Sequence, residues 1–158
     1  MPSTAPTALP FTSFNFGVEI RVNDDIPRLC SAAFAECDGL EMTMDVKTIR
    51  EGGNNQAQIR LAGPVAYGQL NLKRGMTASF DIWSWFDAVN RDPTLRADGE
   101  VVVFAGDGTT ERVRFLLSRL LPIRVKAPAL NAKDGMVAIE ELQVAYESLT
   151  IKAGGLLA

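Results

Sequence analysis

Residues 41–61 read EMTMDVKTIREGGNNQAQIRL. As far as Ile49 the residues alternate. Met42, Met44, Val46 and Thr48 fall on one side of an extended chain, and Glu41, Thr43, Asp45 and Lys47 on the other, the period of two that a strand imposes. Gly52, Gly53, Asn54 and Asn55 interrupt the pattern with the residue types that reach positive φ at least cost. Gln58 to Leu61 resumes it, and Pro64 ends it. Strand, turn and strand predict a long antiparallel hairpin with its tip at Gly52 to Asn55.

The same period extends outward on both sides. Phe16, Val18, Ile20 and Val22 alternate with Gly17, Glu19 and Arg21, and Asn23-Asp24-Asp25 supplies turn chemistry behind them. Tyr67 to Leu72 alternates again. Ala78 to Arg91 does not: Phe80, Trp83, Phe86 and Ala88 with Val89 recur at spacings of three and four, which predicts one amphipathic helix of about four turns. On that stripe Trp83 belongs to the core and Trp85 to its edge, where an aromatic side chain is a candidate protein contact. Asp92-Pro93 stops the helix. A hairpin follows, from Glu100 to Phe104 and Glu111 to Leu117 around Gly106-Asp107-Gly108, then strands at Leu120 to Val125 and Met136 to Tyr146, with Pro122, Pro128 and Asn131 as irregularities. Many short strands with one helix imply a mainly β domain, a sandwich or barrel with the helix on its side. Residues 1–13 read as a flexible arm, 14–151 as the domain, and 152–158, with Gly154-Gly155, as a loose tail.

Composition narrows the function. The chain has 158 residues, 47% of them hydrophobic, enough for one core. A net charge of -3 gives no global basic field for nucleic acid or anionic membrane. Histidine is absent, so every Ser-His or Cys-His mechanism is excluded. Cys30 and Cys37 have no partners at zinc-site spacing and read as ordinary thiols. Met1 to Pro10 contains no basic residue, so neither a secretory signal nor a membrane anchor is expected.

Candidate chemistry is sparse. Glu140 and Glu141 are adjacent in a strand, so they project to opposite faces and cannot share a proton or metal; Glu140 reads as a solvated or subunit-facing acid. Asp24, Asp25 and Asp107 read as turn formers. The glycine-rich stretches lack the lysine and hydroxyl of a phosphate loop. Lys73-Arg74 and the alternating Arg112, Arg114, Arg119, Arg124 and Lys126 are the basic concentrations, a wet sheet face or, in a ring assembly, partners for acids on the next subunit or the lining of a channel. No catalytic, metal or cofactor residue is assigned.

Taken in order, Phe34, Gly39-Leu40, Arg50 to Asn54, Gly63, Leu70 to Gly75, Trp83, Pro122, Leu130, Ile139 to Leu142 and Ala145 to Glu147 resemble the tail-tube protein family of contractile phages and phage-derived injection machines, related to the haemolysin-coregulated protein of type VI secretion. On that resemblance Phe34 and Gly39-Leu40 mark a second strand and its corner, although the alanines of Arg28 to Glu36 would also suit a short helix. The resemblance implies a closed antiparallel β-barrel or sandwich with one flanking helix and the protruding hairpin. It further implies a non-enzymatic subunit, hexameric rings that stack into an inner tube, a contractile sheath around it, baseplate and tube-cap proteins at its ends, and cargo protein or DNA in the lumen. Such a subunit is made in the cytoplasm and assembled into a phage tail or extracellular tail-like particle, without membrane anchoring. Arg50, Glu51, Gly52, Gly53, Asn54 and Asn55 become the expected ring or stack interface, with Lys73, Arg74, Trp85 and Glu140 as further interface candidates. The alternatives are a tube-initiator ring joining tube to baseplate, a type VI secretion ring protein, or a small β-barrel enzyme or ligand-binding module.

Overall fold

The computed structural model describes residues 15–22, 34–50, 52–53, 58–133 and 135–154, and among them nine strands and one helix. In chain order these are β1 (Phe16–Arg21), β2 (Glu36–Asp38), β3 (Met42–Arg50), β4 (Gln58–Tyr67), β5 (Gln69–Gly75), α1 (Asp81–Arg91), β6 (Ala97–Phe104), β7 (Glu111–Lys126), β8 (Ile139–Ala145) and β9 (Ser148–Ala153). The expected arm, Cys30 and most of the C-terminal tail lie outside the described residues.

Seven strands make one antiparallel sheet in the order β1-β6-β7-β8-β5-β2, with β9 added on β7. The corner strand is β7. Val113 to Ser118 lies between β6 and β9, and Leu121 to Lys126 pairs with β8. The sequence suggests two strands here, broken between Leu117 and Leu120; instead one 16-residue strand runs through. Arg119 takes a φ of 54°, and the register shifts between Pro122 and Arg124. A local departure from extended geometry redirects the strand without ending it. The short strand β9 adds an element the sequence reading passed over, although Leu149 and Ile151 alternate there with Ser148, Thr150 and Lys152.

The bent sheet folds around a single core. Val18 and Ile20 of β1, Val101 of β6 and Leu117 of β7 join one cluster with Leu70 and Leu72 of β5 and Leu142 and Val144 of β8. Both β5 and β8 bury every second residue, as one inward row requires. β1 and β2 end the strand order and, among the described residues, do not pair with each other. The closed barrel implied by the resemblance is thus replaced by an open, sandwich-like sheet, with a strand of only three residues at one margin.

The helix begins at Asp81 instead of Ala78 and has 11 residues, about three turns. It packs against β7 through Ile82 and Trp85, each 1% exposed. Trp83 is only partly buried, while Phe80 and Phe86 face solvent. The expected placement of the tryptophans is therefore reversed. Ile82 and Trp85 are three apart, as Trp83 and Phe86 are, but lie about 100° away around the helix, and it is their side, with Val89, which meets the sheet.

β3 and β4 stand apart as a two-stranded sheet. The root of this ribbon is pinned by Tyr146, whose hydroxyl donates to the Gly39 carbonyl at 2.7 Å and accepts from the Glu41 amide at 3.1 Å. Its ring lies 5.8 Å from that of Tyr67. Gly39 has a φ of 93°, and a Cβ there would sit 1.8 Å from the Gln69 carbonyl oxygen, so only glycine fits this corner.

Candidate assembly surfaces

Every residue of β3 is exposed, and nearly every residue of β4. The register pairs Met42 with Tyr67 and Met44 with Val65, then Lys47 with Leu61 and Ile49 with Ile59 beyond an irregularity between Met44 and Val46. Alternation along β3 puts Met42, Met44 and Val46 on one face and Ile49 on the other, where it meets Ile59 and lies next to Leu61. Each of these apolar side chains is 41% exposed or more. A two-stranded ribbon by itself is marginally stable in water, and one with apolar groups on both faces is built to be covered. At the tip Gly53 has a φ of 97°, as the turn expected there needs. Gly52 and Arg50 are exposed; Glu51, Asn54 and Asn55 lie outside the described residues.

Three of the other interface candidates are inside the protomer. Arg74 and Glu140 are direct neighbours across β5 and β8, on the inward rows, at 2% and 1% exposure. The Arg74 Nε donates to Glu140 Oε1 at 2.6 Å, and its other nitrogens reach Asp81 at the start of α1. Glu140 Oε2 accepts from the Trp83 indole nitrogen at 3.0 Å, and the guanidinium carbon lies 5.7 Å from the centre of the Phe34 ring. This cluster ties β5, β8 and α1 together, each buried charge facing an opposite one. Glu140 is thus neither solvated nor subunit-facing, and Trp85 is core. Lys73, on the outward row, is half exposed; its ammonium lies 3.3 Å from Glu36, whose hydrogen bond raises the lysine pKa.

The long basic series is answered in part within the chain. Arg114 pairs with Glu111 and Glu100, and Arg119 with Glu147, while Arg112, Arg124 and Lys126 are exposed. Asp107 accepts from the Thr109 and Thr110 amides and the Thr110 hydroxyl. Those bonds, the Thr110 hydroxyl first, hold its carboxyl down at about 2, so it is the turn former its setting predicts. Burial, then the Asp38 charge, pushes the Cys37 thiol up to about 12, which leaves it protonated and unreactive near neutral pH.

Two concave regions accompany these surfaces. One of about 440 Å³ opens at the seam between β1–β6 and β2–β5, among Phe16, Cys37, Asp38, Leu40, Lys73 and Val101. The other, about 420 Å³, is formed by the segment between β7 and β8, where Leu130 is 91% exposed, Met136 82% and Val137 75%. This second apolar surface was missed in sequence, where the segment carried only proline and asparagine as signals of irregularity. Among the described residues no group of three or more acidic or cysteine side chains is arranged to hold a metal, and no helix is long and apolar enough to cross a membrane.

A family model described as T4-like virus tail tube protein gp19 matches residues 12–150. Comparison with curated proteins gives no match. Among solved structures, the chain is similar to one in the 6-fold symmetrised baseplate of the anti-feeding prophage, with 28% identity and a TM-score of 0.79 over 92% of this chain and 97% of that one. It shares its fold with a chain of the PVC extracellular contractile injection system sheath–tube complex in the extended state, at 17% identity and a TM-score of 0.76, covering 93% and 94%. A more distant likeness, 11% identical with a TM-score of 0.50 over 87% and 95%, is to Hcp1 from Flavobacterium johnsoniae.

Proposed function

The chain belongs to the T4-like virus tail tube protein gp19 family, and from that premise we propose that it is a non-enzymatic subunit whose copies close into hexameric rings and stack as the inner tube of a contractile particle. The observation that carries the reading is the ribbon β3–β4. A protruding two-stranded sheet with apolar side chains on both faces gains its stability by being covered, and further copies of the same chain supply the cover. The margins at β1, β2 and β9, open among the described residues, give the body strand edges for lateral pairing, which a closed ring uses up. The proposed contact takes in the sequence Arg50 to Asn55 that joins β3 to β4, and Lys73 with Glu36 contributes a separate charged surface.

The surrounding particle follows from the same reading. A contractile sheath encloses the tube, baseplate and cap proteins close its ends, and cargo protein or DNA occupies the lumen. The particle is a phage tail or an extracellular tail-like machine, assembled from cytoplasmically made chains without membrane anchoring. Support comes from the structures of similar fold, which are a baseplate, a sheath–tube complex and a tube-terminating cap. A second reading, a ring at the baseplate end of the tube, is favoured by the higher identity to the baseplate chain than to the sheath–tube chain, 28% against 17%.

Negative-stain microscopy of the purified full chain tests both. Rings of one diameter are expected, continuing into tubes for the repeated subunit and stopping at one or two layers for the initiator. A solitary protomer at high concentration would refute both readings.

A further inference from the structure

The ribbon and the groove between β7 and β8 lie at opposite ends of the same pair of strands. The ribbon leaves the body where β4 ends at Tyr67 and β5 opens at Gln69, opposite Ala145 of β8. The groove lies where Gly75 pairs with Ile139 and the Met76 amide donates to the Ala138 carbonyl. The seven residues of β5 separate these ends by roughly 20 Å at the rise of a strand. A chain that stacks by repetition needs two different patches, one for each neighbour, because a patch that meets only itself closes a dimer.

The two surfaces suit each other in shape and chemistry. One projects and the other is concave. Leu130, Met136 and Val137 are the most exposed large apolar side chains among the described residues, and among those residues no charged side chain lines their groove. Met42, Met44 and Val65 share one face of the ribbon and are likewise uncharged. We propose that the ribbon of one copy seats its Met42–Met44 face in the groove of a second copy, head to tail, and that this contact joins one ring to the next. The proposal rests on the ring reading above and adds the receiving surface to it. A modest seat suffices, because a ring offers the contact once per subunit and the contacts act together.

Met44→Lys and Met136→Asp test it, each at an exposed position where the protomer fold is not at stake. Placing either charge in an apolar seat is expected to lower tube yield by about tenfold or more, with rings of unchanged diameter in negative stain. Mixing the two variants in equal amounts should restore tubes. At one junction the new ammonium then meets the new carboxylate, and at the next two unaltered surfaces meet. Full tube yield from either variant alone, or no rescue on mixing, overturns the proposal and leaves the ring reading standing. Loss of rings in Met44→Lys, or wild-type rings that never stack, overturns it likewise. A wild-type chain that forms no rings refutes the ring reading and the seat together.

Discussion

Replacing Glu140 by alanine should destabilise the isolated protomer severely. The side chain is fully buried and accepts from Arg74 at 2.6 Å and from Trp83 at 3.0 Å. Each hydrogen bond to a charged group is worth about 1.5–3 kcal/mol, and breaking a buried ion pair by removing one partner costs about 3–5 kcal/mol. Arg74 keeps Asp81, so we place the loss within that range. For a domain of this size it corresponds to a fall of roughly 6–20 °C in Tm, at about 2–4 °C per kcal/mol. Urea unfolding followed by tryptophan fluorescence, at a concentration where the chain is protomeric, measures it directly. The double variant Arg74→Met with Glu140→Leu should regain part of the loss, because an apolar pair of similar volume replaces the buried ion pair while Asp81 and the Trp83 indole lose a partner each. A loss below about 1 kcal/mol for Glu140→Ala, or double-variant losses that simply add, would refute the clasp. If Glu140 faced a neighbouring subunit instead, assembly would fail while the melt stayed unchanged.

The tryptophans give a second ordering. Trp85→Ala should cost about 3–5 kcal/mol, as a large fully buried side chain does, whereas Trp83→Phe, losing chiefly its bond to Glu140, should cost about 1–3 kcal/mol; the reverse order in urea melts would overturn the placement of α1. Gly39→Ala must move Gln69 or leave its own positive φ, so a loss above about 1 kcal/mol is expected, and a wild-type melt would disprove the corner. The Asp107 carboxyl should titrate by NMR at about 2, below its ordinary 3.8, and Thr110→Val should move it upward. Because the folded value is the lower one, its contribution to stability is present above about 4 and disappears as pH falls through about 2; an unshifted titration would refute the turn network.

Local signals announced the hairpin accurately. The alternation from Met42 to Ile49 and the glycines after it are properties of neighbours in sequence, and β3 forms and β4 opens where they indicate; β4 does not end at Pro64 as expected but runs through it to Tyr67 beyond the irregularity opposite Met44 and Val46, because proline is tolerated at an edge or a bulge. The tryptophans were misplaced for an equally local reason. Two stripes of three- and four-residue spacings compete on α1, and choosing the one with more aromatic rings ignores that Trp83 can satisfy its indole nitrogen at the rim through Glu140. Arg74 and Glu140 were legible in principle. Leu70, Leu72 and Arg74 share one side of a strand, as do Glu140, Leu142 and Val144, so strict alternation carries two opposite charges onto buried rows. Reading them as surface groups followed their chemistry over their period. Tyr146 with Gly39 and Glu41, and the groove built from Leu130 and Met136, depend on contacts between distant segments, and no local pattern encodes those.

One consequence of the corner strand concerns how the protomer responds to mechanical load. Because β7 belongs to both halves of the sheet and carries β6 and β9 on one stretch and β8 on the next, neither half can shear against the other without rupturing it. The two halves of a sheet wired in this way share no hinge between them, so a push delivered to one is transmitted to the other rather than absorbed. The amides in the middle of β7 should accordingly be the last to exchange with deuterium, released only when the whole body opens.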